Sequence, residues 1–371
     1  MLIRFALPIV FAAAAVTGAF FHHTPADAAP DPVHKLSEPL AHENLAIYLV
    51  RGTSAPGAAP ATLEEALVNG SIVVHETGNV SELLIENTGR EAVFVQFGDL
   101  VKGGRQDRVL TSSLLIPPNS GRIAIGAYCV EQGRWARRGK EDVSRFSSSS
   151  AQIFSREAKV AIARAPLDRD ARGHVDPAQR TDPHLNRLAI QRGEQRGGPI
   201  GGQSEVWRSV SSVQGLLGEK LASPVAAEES QTSLQLTLEN ERVKKAQEGF
   251  LTALESKALE GDDVIGVVIA INGKIASGDI YPSNGLFRKM WPKLIRAAAT
   301  EAVANQKDGV PAAPAASEAE KFLAEAQSGT VSERALADVA RHETRAGPNV
   351  LQVEARTAKG AWFHRNFLSA K

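Results

Sequence analysis

The stretch FVQFGDLVKGGRQDRVLTSSLLIPPNSGRIAIGAYCVEQGRW, residues 94–135, sets short apolar runs between turns built from Gly, Pro, Asn and charged residues. Turns of that chemistry between apolar runs mark strands that fold back on one another. Upstream the same rhythm continues. Residues 45–50, 71–76, 81–87, 92–97, 108–116 and 122–130 read as strands; the last five are parted by the turn segments GN, NTGR, GDLVKGG and PPNSG. Short strands at this spacing predict an antiparallel sandwich or barrel-like sheet. A single short helix, LEEALVN at 63–69, interrupts them, with Thr62 as its N-cap and acids in its first turn.

Beyond Lys140 the composition changes. Residues 145–155 are Ser-rich, and 166–202 form an Arg-, Asp-, His- and Pro-dense insertion without apolar periodicity. Helical patterns follow at 157–164, 204–217, 233–259 and 283–303, where Pro292 predicts a kink or a break. Between them lies VIGVVIAINGKIASGDIYP, residues 264–282, in which Asn272-Gly273 predicts a type I′ β-hairpin. Short helices at 317–327 and 332–344 and a hairpin-like piece at 350–368 complete the chain. The reading is an α+β protein: an antiparallel β-sandwich or barrel-like N-terminal half packed with a helical half that includes a β-hairpin.

Arg4, the apolar run 5–21 and the small residues Ala26-Asp27-Ala28 follow the order of a secretory signal, with cleavage expected after Ala28 or Ala29. An uncleaved anchor is the alternative, but the run is short of the roughly 20 apolar residues a spanning helix needs, and it contains Pro8. The expected location is therefore periplasmic or secreted, with no membrane association after cleavage and an irregular lead-in at 29–44. The 42 basic and 42 acidic residues balance, which argues against nucleic acid or another general polyanion as partner. Cys129 is the only cysteine, so no intrachain disulfide forms. In the apolar run IAIGAYCV it reads as a small core residue rather than a nucleophile.

Two clusters are candidates for chemistry. In DLVKGGRQDR, paired glycines expose backbone N–H groups while Lys102, Arg105 and Arg108 supply cations and Gln106 and Asp107 select polar ligand groups. In VEQGRW, Glu131, Arg134 and Trp135 offer an acid, a guanidinium and a stacking platform suited to nucleotides or sugars. Each also has a structural reading: a self-paired hairpin tip, and a turn closed by Glu131 and Arg134 with Trp135 sealing a sheet edge. Asp99, Asp107 and Glu131 are conceivable acid-base groups by proximity alone. Tyr281, Phe287 and Trp291 read as core between hairpin and helix, or as an apolar wall beside a polar site. His174, Asp176, Asp182 and His184 match no metal-site spacing, so no metal is expected. HExxH, GxSxG, cysteine-pair and dinucleotide patterns are absent, and the sequence names no reaction and no cofactor.

The run ELLIENTGREAVFVQFGDLVKGGRQDRVLTSSLLIPPNSGRIAIGAYCVEQGRW resembles the bacterial ARPP-type domain family, named for its association with ADP-ribosylglycohydrolase and rhodanese-phosphatase proteins. The matching elements are Gly98-Asp99-Leu100-Val101, residues 103–108, the turn 116–120 and the segment 129–135. Likeness continues at Phe146-Ser147-Ser148-Ser149, QSEVW at 203–207, Asn272-Gly273, Asp279 and 286–294. It covers 45–305 and leaves 306–371 outside. The family name records association rather than a reaction, and it implies a nucleotide- or ADP-ribose-like ligand. The leading expectation is an exported binding module for a small anionic or nucleotide-like ligand at Lys102, Arg105, Gln106, Asp107, Arg108, Glu131, Arg134 and Trp135. The alternatives are a hydrolase of glycosidic or phosphate ester bonds using Asp107 or Glu131, and a structural or partner-binding envelope protein.

Overall fold

Asn272 and Gly273 turn with φ of 51° and 71°, the two positive values a type I′ turn requires, and the flanking strands Val264–Ile271 and Lys274–Ile280 pair antiparallel. The computed structural model describes residues 34–153, 155–164, 202–336 and 338–370. The expected signal segment, nearly all of the 166–202 insertion and the four residues weighed as metal ligands lie outside the described residues.

The hairpin is the centre of a nine-stranded antiparallel sheet. On one side Leu45–Arg51 pairs with Val264–Ile271 and is flanked by the short strands Lys35–Leu36 and Leu40–His42. On the other side Trp362–Ser369 pairs with Lys274–Ile280, and Val350–Thr357, Ala340–Ala346 and Thr330–Leu336 follow outward in turn. Every residue of Val264–Ile271 is buried, because both faces of this strand are covered. Helix Asn284–Ala304 lays Leu286, Phe287, Met290, Trp291, Leu294 and Ile295 into the core on one face. Helix Ala316–Glu325 places Ala319 and Phe322 against Tyr48, Val268 and Phe367 on the other. Trp291 and Phe287 are wholly buried, and side chains of that size each contribute roughly 1.5–3 kcal/mol. With Tyr281 they are core, as expected.

The expected barrel-like part is a six-stranded sheet, in order Phe146–Ile153, Asp99–Gly103, Arg108–Leu110, Arg122–Cys129, Glu82–Asn87 and Ile72–Glu76. It nearly closes: His75 bridges Arg145, and Glu76 N–H donates to Ser144 O at 3.2 Å. Leu114–Ile116, Val93–Val95 and Ala61–Thr62 form a small three-stranded sheet beside it. Thr62 caps helix Leu63–Val68 in a capping box with Glu65, as its sequence predicts.

Four local expectations are corrected. Residues 108–116 are two strands in different sheets, because the chain turns at Thr111–Ser113 and buries both serines. GDLVKGG is mostly strand, since Asp99–Gly103 finds a partner in the Ser-rich segment Phe146–Ile153. The helical stretch 233–259 breaks at Asn240, whose extended backbone and side-chain bond to Arg242 N–H at 2.9 Å start a second helix, Glu241–Leu254. Residues 332–336 and 338–344 are not helical. They lie in the paired strands Thr330–Leu336 and Ala340–Ala346, held by Val350–Thr357, a case of tertiary pairing overriding local propensity. Helix Asn284–Ala304 runs through Pro292 without a break.

Candidate functional site

Gly103 and Gly104 have φ of 115° and 54°, and the Phe146 ring lies where a Cβ on Gly104 would stand, 2.4 Å from Cζ. This forced turn brings Gln106, Asp107 and Arg108 against the Glu131–Arg138 segment. Asp107 is 1 % exposed and is gripped at both oxygens by Arg138, with Oδ2 to Nη1 at 2.9 Å and Oδ1 to Nη2 at 3.0 Å. Ser233 Oγ–H donates to Asp107 Oδ2 at 2.8 Å, and Gly103 N–H to Oδ1 at 2.9 Å. Glu131 meets Arg134 Nη2 at 2.6 Å and Arg138 Nη1 at 3.2 Å, and accepts from Asp107 N–H at 3.2 Å. Gln106 donates to Glu131 O at 2.7 Å, and the fully buried Arg108 donates to Gln106 O at 2.9 Å and faces Glu76 at 3.6 Å. Burial opposes the charge on Arg138, but its bonds to Asp107 and Glu141 and the charge of Glu131 outweigh it and push the pKa up. This is a desolvated ion-pair network with a bidentate Arg138–Asp107 pair at its centre, and Arg108 Nε and Nη2 and Arg134 Nε are buried in it without a hydrogen-bond partner.

Seven of the eight expected residues are thus brought together. Lys102 points elsewhere, to Glu239 at 2.7 Å. Only the outer rim of the cluster meets solvent. Trp135 is 39 % exposed, with the guanidinium carbons of Arg105 and Arg108 at 5.4 and 5.5 Å from its ring centroid. Arg105 beside it is exposed, as are Arg137, Lys140 and Arg145 in the 132–145 loop, against one exposed acid there, Asp142. Cys129 is buried core, its thiol pushed up to about 11 by burial, and Gln203 bonds to both its N–H and C=O at 2.9 and 2.8 Å. That pairing ties the QSEVW motif to the VEQGRW motif.

A second polar cluster, which the sequence reading did not assemble, lies where hairpin, tail and barrel meet. Asp279 Oδ1 accepts from His364 Nε2 at 3.0 Å, Asn366 Nδ2 at 2.9 Å and Gln96 Nε2 at 3.2 Å. Burial would raise the Asp279 pKa, but the nearby Lys159 charge and the bonds from His364 and Asn366 lower it, so the group is a carboxylate. His364 Nδ1 stands 2.9 Å from Ser113 Oγ, and Phe97 N–H donates to the same oxygen at 2.9 Å. Tyr281 O–H donates to Gln96 Oε1 at 2.6 Å, and Asp99 pairs with the buried Lys293 at 3.1 Å. Asp99, weighed as an acid-base group, is therefore an ion-pair partner in this cluster.

Ser113, His364 and Asp279 share the composition of a nucleophilic triad, but Ser113 is 1 % exposed and its hydroxyl is engaged by ring and backbone. A serine nucleophile needs room for a carbonyl beside it. In this setting the three groups tether three separate parts of the chain. In sequence its members are far apart and stand among other polar residues: Asp279 in SGDIY, Ser113 in LTSSLL and His364 in WFHRNF.

The described fold is an α+β protein of two antiparallel sheet systems joined through a buried polar hub. The chain belongs to the family described as ARG and Rhodanese-Phosphatase-superfamily-associated Protein domain, ARPP-1, whose model matches residues 34–368. That match includes the strands of the tail as well as the barrel. No curated protein and no solved structure matches the chain.

Two outcomes follow from these clusters. Asp107→Asn leaves buried guanidinium charge uncompensated and is expected to lower unfolding free energy in urea by about 3–5 kcal/mol; a loss under about 1 kcal/mol would mean that the network contributes little. Burial lowers the His342 pKa from 6.5 to about 4, while its bond to Ser113 O works the other way. The unfolded chain therefore binds this proton first as pH falls, and stability declines from about pH 6.5 to 4 by about 3 kcal/mol. His342→Gln should flatten that part of the urea-midpoint profile and leave in place the decline at more acid pH, to which Asp279 contributes because its pKa is held down in the folded chain.

Proposed function

We propose that this protein is an exported binding module for a small anionic or nucleotide-like ligand, which docks on the exposed Arg105–Trp135 face. The observation that carries the reading is an exposed indole with the Arg105 guanidinium 5.4 Å from its ring centroid, in a loop whose Arg137, Lys140 and Arg145 are also exposed, on a chain with no net charge. An aromatic face takes a base or sugar ring, and guanidinium groups take phosphate or carboxylate. In this reading Gln106, Asp107, Arg108, Glu131 and Arg134 do not touch the ligand. Their buried bonds hold the loop backbone and the indole in place, which lowers the entropic cost of binding. The family name, with its link to ADP-ribosyl chemistry, makes ADP-ribose a suitable first probe.

What favours binding over hydrolysis is the state of the carboxylates. Asp107 and Glu131 are 1 % and 0 % exposed, and each is held by Arg138, so neither has an open face for a water or a leaving group. The reading is tested by calorimetric titration with ADP-ribose, AMP and inorganic phosphate. At least one is expected to bind, and Trp135→Ala and Arg105→Ala to weaken it by about tenfold or more, with little change in thermal midpoint because both side chains are at the surface. Binding by none of the three, or undiminished binding in both variants, contradicts the proposal.

A further inference from the structure

A cavity of about 280 Å³ lies against the tail strands, away from the Trp135 face. Strands Thr330–Leu336 and Ala340–Ala346 supply one wall, where Arg334 stands opposite His342 in the pairing register. Phe97, Thr111 and helix Arg156–Arg164 close the other side. The volume is just below the roughly 300–1,000 Å³ of ordinary small-molecule sites, which sizes its occupant near a single sugar ring.

The wall chemistry is specific. His342 Nε2 lies 2.8 Å from Ser113 O, and since a carbonyl only accepts, Nε2 carries the proton. Burial depresses this ring's pKa to about 4, so at neutral pH it is uncharged and Nδ1 is a bare acceptor. Among the described residues none donates to Nδ1, and the ring lines the cavity. The hydroxyl-bearing side chains of Thr111 and Thr344 line the same space, and Ser332 stands opposite Thr344 on the same face of the strand pair, while Glu333 alternates to the other face. Such a wall is rich in hydroxyl donors and acceptors and carries the apolar ring of Phe97 on one side. A neutral molecule with hydroxyls at its edge and C–H groups on its face matches every part.

We propose that this cavity is a carbohydrate site taking one sugar ring, free or as the ribose of a nucleoside, with a ring hydroxyl donating to His342 Nδ1. Phe97 packs on the C–H face of the ring, and the hydroxyls of Thr111 and Thr344 complete its polar edge. The site stands independently of the Trp135 surface.

The test is ligand-observed NMR and calorimetry on the full chain with D-ribose, D-glucose, D-galactose and adenosine, using cyclohexanol as a ring of similar size with a single hydroxyl. At least one sugar or adenosine is expected to bind with millimolar or tighter affinity, and cyclohexanol at least about tenfold more weakly. Ala163→Trp, which fills the cavity from the helix, should reduce binding by at least about tenfold. Thr344→Val, a change that keeps the volume and removes a hydroxyl, should weaken it several-fold if the tryptophan variant does not fold. Binding of sugars over adenosine marks a free-sugar site, and the reverse marks a nucleoside. Absence of binding by all four, equal binding of cyclohexanol, or unchanged affinity in the folded variants overturns the proposal. Adenosine binding that is lost in Trp135→Ala and kept in Ala163→Trp belongs to the other face and also overturns it.

Discussion

A carboxylate with almost no exposure sits at the middle of the main sheet, and most of the architecture is a response to it. Asp279 is desolvated on the hairpin strand, and an ionised carboxylate there is tolerable only if donors surround it. Those donors come from far along the chain: Gln96 is 183 residues away, His364 85 and Asn366 87. The Gln96 corner of the barrel side and the tail strand Trp362–Ser369 must therefore both be in place before the hub is satisfied. His364 extends the constraint to Ser113, and His342 reaches Ser113 O from the neighbouring strand. The tail is thus an integral part of the sheet, in keeping with a family match that continues to residue 368.

The two buried polar systems divide the work. The Asp279 hub joins the tail and hairpin to the barrel side, whereas the Asp107–Glu131–Arg138 network fixes one end of the barrel and the loop that carries Trp135. Both consist of charges that would be costly if unpaired, so both favour a single arrangement of the chain over nearby alternatives. Beyond them lie the surfaces free to meet other molecules: the indole with its exposed cations, and the cavity behind His342. In this account recognition occurs next to the rigid polar clusters, and the clusters themselves stay closed.

Much of this was legible in the sequence, for definable reasons. The Asn272-Gly273 turn, the Thr62 cap and the strands around 71–87 and 122–130 follow from local chemistry, and local chemistry decided them. Residues 332–344 misled because a strand near the sheet edge, charged on both faces, carries no period-two signal, and only its pairing with Val350–Thr357 makes it extended. Phe146–Ile153 was obscured in the same way by its serines. At the site, charge and glycine content located the cluster, but sequence cannot distinguish a guanidinium aimed at a ligand from one aimed at a buried acid. Arg138 is one of several cations in its loop, with nothing local to distinguish it, and it is the residue that clamps Asp107 and Glu131. The Asp279 hub was invisible because its members are far apart in sequence and nothing local sets Ser113 or His364 apart from the polar residues beside them.

The central claim, that the Asp279 carboxylate couples hairpin to tail, is tested most directly by a double-mutant cycle. Urea unfolding of the wild type, Asp279→Asn, His364→Gln and the double variant gives the coupling between the two side chains. The account predicts a coupling of about 1.5–3 kcal/mol, the upper range for contacting charged groups, with each single change nearly as damaging as both together. Additive effects, with a coupling below about 0.5 kcal/mol, would contradict it.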